Sequence, residues 1–164
     1  MTFKYNNVYL NNTSTISGIM ESNGPLSKYF DKSYNDYYMG TKTWELAEIK
    51  LMQESIDLVL EKENIIKKDI DLFIAGDLNN QIVASNYTAA SLDIPYLGIY
   101  SACATSMESF LIAANFIENN NANRIVVSTS SHNNVAEKQF RYPVEYGGPK
   151  RKSTTFTVTG GASA

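Results

Sequence analysis

Three short apolar runs constrain this chain more than any other feature: Asp71-Leu-Phe-Ile-Ala-Gly76, Pro95-Tyr-Leu-Gly-Ile-Tyr-Ser101 and Arg124-Ile-Val-Val-Ser-Thr129. Each is of strand length, largely apolar, and closed by glycine or a hydroxyl residue. Runs of that kind suit strands covered on both faces, as in a parallel sheet. Parallel neighbours require crossover connections, most often helices, and the segments between the runs carry helical spacing. The order of elements therefore predicts an α/β fold.

The longest helical pattern starts after Thr43, an N-cap residue type, with Glu45 and Glu48 in the first turn where the positive helix end favours acids. Trp44, Ala47, Leu51 and Leu58, widened by Ile49, Met52, Ile56 and Val59, form an apolar stripe ending near Lys62. A second helix is predicted over 82–92, ended by Pro95. A third covers Met107–Glu118, with its N-terminus at Cys103. Val8–Leu10 is a short strand candidate that the polar stretch Asn11–Ser17 continues irregularly, and residues 23–42 read as a long loop holding one helical turn. The stretch 131–153 reads as a second loop, and Thr155-Phe-Thr-Val-Thr159 alternates as a last strand before Gly160-Gly161. Together these give a three-layer α/β/α half-domain over 1–164, with a five-stranded mixed sheet in the order βαβαβαββ. The chain closes soon after a strand on Ala162-Ser163-Ala164, so a C-terminal half is expected to be absent from it.

With 14 basic against 17 acidic residues the net charge is −3, which argues against a nucleic-acid-binding surface. The single cysteine cannot form an internal disulfide and fits a reducing compartment. Met1-Thr-Phe-Lys-Tyr-Asn-Asn7 has no apolar core of a signal peptide. The longest apolar stretch, 110–117, is too short to span a bilayer. A soluble protein is expected, one still able to dock onto a membrane protein.

Ser101-Ala102-Cys103-Ala104 lies where a strand gives way to a helix, and reactive groups in open α/β sheets gather at the carboxyl ends of strands. By type, a lone cysteine is a small buried hydrophobe. By position, a tight elbow between alanines would lift the thiol above the sheet, and a helix N-terminus favours its thiolate. Asp77, after the glycine that closes its strand, reads either as a turn or cap residue or as a polar wall of the same region. His132 follows the strand Arg124–Thr129, and a capping or packing role stands beside that of a general base. One histidine and one cysteine far apart give no metal site.

Several segments, taken in order, are similar to the stage V sporulation protein AD family, a thiolase and ketoacyl-synthase-like family. They are Phe30-Asp31-Lys32, Lys42-Thr43-Trp44-Glu45-Leu46-Ala47-Glu48, Asp69-Ile70-Asp71-Leu72 and Ala75-Gly76-Asp77-Leu78-Asn79-Asn80-Gln81. Ser101-Ala102-Cys103-Ala104-Thr105-Ser106-Met107-Glu108 and Ser128-Thr129-Ser130-Ser131-His132-Asn133 continue the series. Gln139-Phe140-Arg141-Tyr142-Pro143-Val144-Glu145-Tyr146-Gly147-Gly148 and Thr157-Val158-Thr159-Gly160 complete it. The resemblance implies the first half of a two-half thiolase-like fold whose second half supplies the catalytic partners of the condensing enzymes.

It further implies a protein that binds dipicolinic acid (pyridine-2,6-dicarboxylate), free or as its calcium chelate, and assists its uptake into the developing spore with membrane channel partners. No turnover and no cofactor are expected. The implied location is cytoplasmic and peripheral to the spore inner membrane, and the implied state is a homodimer joined through the strand 95–101. The candidate ligand-binding set is Cys103, Asp77, Arg141, His132 and Tyr146. In it Arg141 would fork onto a carboxylate, and Tyr146 or Tyr100 would stack on the pyridine ring. Lys150–Lys152 read as solvent-facing or partner-facing, and Gly147-Gly148 as a turn. Two other readings stand beside this one: a ketoacyl-synthase-type acyltransferase with Cys103 as nucleophile, and a structural half-domain whose role is dimerisation.

Overall fold

The computed structural model describes residues 2–79, 81–138 and 157–164. Its elements are β1 (Ser14–Ser17), α1 (Ile19–Ser22), β2 (Lys32–Ser33), α2 (Trp44–Glu63), β3 (Leu72–Asp77) and α3 (Val83–Leu92). They continue with β4 (Tyr96–Gly98), α4 (Thr105–Glu118), β5 (Ile125–Ser131), α5 (Asn133–Ala136) and β6 (Gly160–Ser163). One mixed sheet runs β2-β1-β6-β5-β3-β4. β3 is parallel to both β4 and β5, and β6 is antiparallel to β5 and β1. The sheet has six strands against the five expected, the extra one being the two-residue β2.

Helices cover both faces, and alternation along β3 decides which residue meets which layer. Phe73 and Ala75 pack with Met52, Ile56 and Leu60 of α2, and with Leu92 and Ile94 at the end of α3. Ile74 points the other way, onto Ala113 of α4 with Ile99 and Val127. These three layers are the predicted α/β/α sandwich.

Local chemistry explains the helix limits. The Thr43 hydroxyl accepts the Leu46 N–H at 3.2 Å, and Asn64 closes α2 in the left-handed region with φ 53°. α3 stops at Asp93, left-handed with φ 56°, two residues before the proline.

Two strand positions differ from expectation. Val8–Leu10 forms no strand; β1 lies further on, over the polar run Ser14–Ser17. Ser14 and Ser17 are buried, and the Ser14 hydroxyl donates to the Ser55 carbonyl of α2 at 2.6 Å, so hydrogen bonds hold a strand that hydropathy does not mark. The last strand is Gly160–Ser163 rather than 155–159. A Cβ on Gly161 would lie 2.7 Å from the Leu51 carbonyl oxygen, so the absence of side chains lets α2 rest directly on the strand.

Gly76 governs how the carboxyl edge is assembled. A Cβ there would sit 2.2 Å from the Ile99 carbonyl oxygen and 2.6 Å from Thr105 Cγ2. The chain leaving β4 and the start of α4 therefore press on the bare backbone of β3. Gly76→Ala is expected to destabilise the fold by about 2–3 kcal/mol, the scale of core overpacking; urea denaturation of the variant beside wild type measures it.

Candidate functional site

After β4 the Ile99 N–H extends the ladder to the Ala75 carbonyl at 3.0 Å, and the chain then turns sharply. Ala102 is left-handed with φ 48°, a conformation that costs an L-residue roughly 1–2 kcal/mol. The turn is fastened by Thr105. Its Oγ1 accepts the Ser101 N–H at 3.1 Å and donates to the Ala102 carbonyl at 2.8 Å. Ala102, Cys103 and Ala104 form a single 3-10 turn leading into α4. All three are exposed, and Cys103 is a free thiol. The elbow expected from sequence is present, and the cysteine does not fill the core.

Asp77 sits at the neighbouring strand end, but it is 2 % exposed and its oxygens face inward. Oδ2 accepts both the N–H and the hydroxyl of Ser85 at 2.8 Å, and Oδ1 accepts the Asn79 N–H at 3.1 Å. Burial pushes its carboxyl above the ordinary range against those bonds. Through these bonds Asp77 holds Asn79 and Ser85, which lie on either side of the consecutive left-handed residues Gln81 (φ 71°) and Ile82 (φ 46°). The Tyr100 hydroxyl donates to the Leu78 carbonyl at 3.4 Å. That contact and the Gly76 approach join the Asp77 turn to the Cys103 elbow.

Glu48 is the functional candidate that sequence reasoning placed elsewhere. Read as a first-turn acid facing the helix dipole, it is 1 % exposed. It accepts the Asn79 Nδ2–H at 3.0 Å and the Ser130 hydroxyl at 3.3 Å. Burial first, and then the charge of Asp77, push its carboxyl up to about 8. Its burial was signalled by spacing, since 48 falls in phase with Leu51, Met52 and Ser55 on the buried face.

His132 is fully buried. Its Nε2 bonds the Tyr37 carbonyl at 2.8 Å, and its Nδ1 accepts the Asn134 N–H at 3.2 Å. The ring stacks on Trp44, centroids 6.4 Å apart, and tilts against Tyr37. Acting as the N-cap of α5, it fills the capping and packing role and is closed off as a base. Arg141 and Tyr146, with Gly147, Gly148 and Lys150–Lys152, lie outside the described residues, so the structure joins only Cys103 and Asp77 of the candidate set. Among the described residues no group of three His, Cys, Asp or Glu side chains could hold a metal ion, and no helix is long and apolar enough to cross a membrane.

Burial holds the His132 imidazole below its usual range. A histidine depressed in the fold stabilises fully above its unfolded value near 6.5, and that stability is lost as pH falls through the folded one. Urea midpoints measured at pH 7.5 and 5.5 should therefore drop more on acidification for wild type than for His132→Gln. Equal drops would show that the imidazole does not titrate with unfolding.

The family model for stage V sporulation protein AD matches residues 1–164. A stage V sporulation protein AD from Bacillus subtilis (strain 168) is 46% identical over 153 residues, covering 93% of this chain and 45% of the relative. The chain thus spans a little under half the length of that curated relative. Among solved structures, 3-oxoacyl-(acyl carrier protein) synthase III from Xanthomonas oryzae pv. oryzae matches with a TM-score of 0.63 at 14% identity, over 97% of this chain and 55% of that one. The corresponding synthase III from Aquifex aeolicus VF5 matches with a TM-score of 0.57 at 17% identity, over 71% and 37%. At such identities the likeness is one of fold, and that fold is thiolase-like.

Proposed function

The chain belongs to the stage V sporulation protein AD family, and from that membership we propose that it forms part of a sporulation protein that binds dipicolinate. In this reading the ligand, free or as its calcium chelate, is passed to membrane channel partners at the spore inner membrane, and the thiolase-like fold performs no turnover. The observation that carries the reading is the elbow. Cys103 stands exposed on a strained turn between two alanines at the carboxyl edge of the sheet. The N-terminus of the 14-residue helix α4 follows directly, and its free backbone N–H groups favour an anionic group. Arg141 is the residue assigned to the ligand's second carboxylate, by the bidentate geometry of guanidinium with carboxylate.

Support for binding over catalysis comes from His132, the chain's one histidine. A neutral thiol attacks poorly without a base, and both nitrogens of this imidazole are committed to backbone groups. The exposed thiol is what favours the alternative, an acyltransferase with Cys103 as nucleophile. The proposed homodimer would join through β4, which lies at the edge of the sheet.

Calorimetry on the full-length protein should show saturable dipicolinate binding that Arg141→Ala weakens by about tenfold or more, as expected for loss of a charge-assisted pair. Heat no different from dilution with intact protein would sink the binding reading. Intact mass after incubation with acyl- and malonyl-coenzyme A is expected to show unmodified Cys103, and a stable acyl adduct would instead establish the acyltransferase.

A further inference from the structure

The interior carboxyl of Glu48 plays no part in the reading above, yet it connects three elements at the edge where Cys103 stands. α2 carries it inward, Asn79 binds it from the turn after β3, and Ser130 binds it from the end of β5. Asn79 also gives its backbone N–H to Asp77, which in turn accepts from Ser85 in α3. The carbonyl between these residues, that of Leu78, receives the Tyr100 hydroxyl. A continuous run of bonds thus extends from α2 through the 78–82 turn to the residue three places before Cys103.

We infer that Glu48 is a positioning residue for the Cys103 site: bonded to Asn79 and Ser130, it fastens the turn after β3 to α2 and β5, and through Leu78 it sets Tyr100 beside the elbow. The inference rests on the ligand reading for its consequence, though not for its geometry. A neutral carboxyl fits the contacts. Oε2 accepts from Asn79 and Oε1 from the Ser130 hydroxyl, neither of which is a cation.

The charged groups acting on Glu48 do not favour its anion. Asp77 and Glu45 both raise its proton affinity. Lys138 is paired with Glu45 at 2.8 Å, and no ion pair joins Glu48 or Asp77 to a cation among the described residues. Tyr96 is held protonated, its hydroxyl pushed up to about 12 chiefly by burial. Burial holds the His132 imidazole below its usual range. Ionised Glu48 gains on its two hydrogen bonds and loses more to burial and to Asp77, so the enclosed arrangement is expected to weaken as pH rises through about 8. The sign is that of any acid raised in the fold: the contribution is complete below the unfolded value near 4.5 and is lost as pH rises through the folded one.

Hydrogen exchange at the Asn79 and Ser85 amides, with dipicolinate calorimetry, tests this on the full-length protein and on Glu48→Gln from pH 6.5 to 9. Protection of the two wild-type amides, corrected for intrinsic rate, should fall by about tenfold or more across pH 8, and dipicolinate affinity should fall with it. Both quantities should be independent of pH in Glu48→Gln. The same pH profile in Glu48→Gln, or a flat wild-type profile, overturns the assignment, and the wild-type profile alone decides if the variant does not fold. Protection that moves while affinity stays constant overturns the positioning role. If protection behaves as expected but wild type binds no dipicolinate at any pH, the ligand reading falls, and the hold of Glu48 on the turn stands on the exchange data.

Discussion

Glu48 and Asp77 are both almost wholly shut off from water beneath the carboxyl edge of the sheet, and the neighbouring turns are arranged around that fact. An isolated carboxylate in such a place would cost many kcal/mol. Here Ser85 contributes two donors, Asn79 two and Ser130 one. All are short, neutral and fixed by backbone, so they impose directions that long cationic side chains would not. The arrangement determines where the 78–82 turn runs, and its two left-handed residues are tolerated because the bonds on either side of them leave little alternative.

The elbow is a separate device resting on the same strand. β3 supplies Asp77 to the polar network and bare backbone at Gly76 to the elbow, so adjacent residues on one strand serve both. Strain at Ala102 is contained by Thr105, whose hydroxyl bridges two backbone groups of the turn. A displacement of β3 by a few tenths of an ångström would be felt at the thiol and at the buried carboxyls together.

Much of this was legible in the chain itself. Apolar runs separated by helical periods gave the parallel core, and the small residues around Cys103 marked the elbow, because each signal is local. β1 and β6 differ in their limits from the sequence expectation for another reason. They are held by Ser14 and by the contact of Gly161 with Leu51, interactions between residues far apart in sequence that leave no hydropathy pattern behind. Asp77 was correctly placed at the edge, but its inward direction depends on Ser85, eight residues on. Glu48 was readable in principle from its phase on α2, where attention to its charge concealed its position.

The elbow also separates presenting a side chain from activating it. A nucleophile elbow has to present its side chain whatever chemistry follows, and the strain that presents it is a property of the backbone. Attack asks for more, namely a base with a free lone pair in reach. In this chain the sole imidazole spends its lone pair on the Asn134 N–H and its proton on the Tyr37 carbonyl. Glu48 is sealed from solvent, with its proton held tightly. A thiol presented this way is an exposed, polarizable contact surface beside the N-terminus of α4.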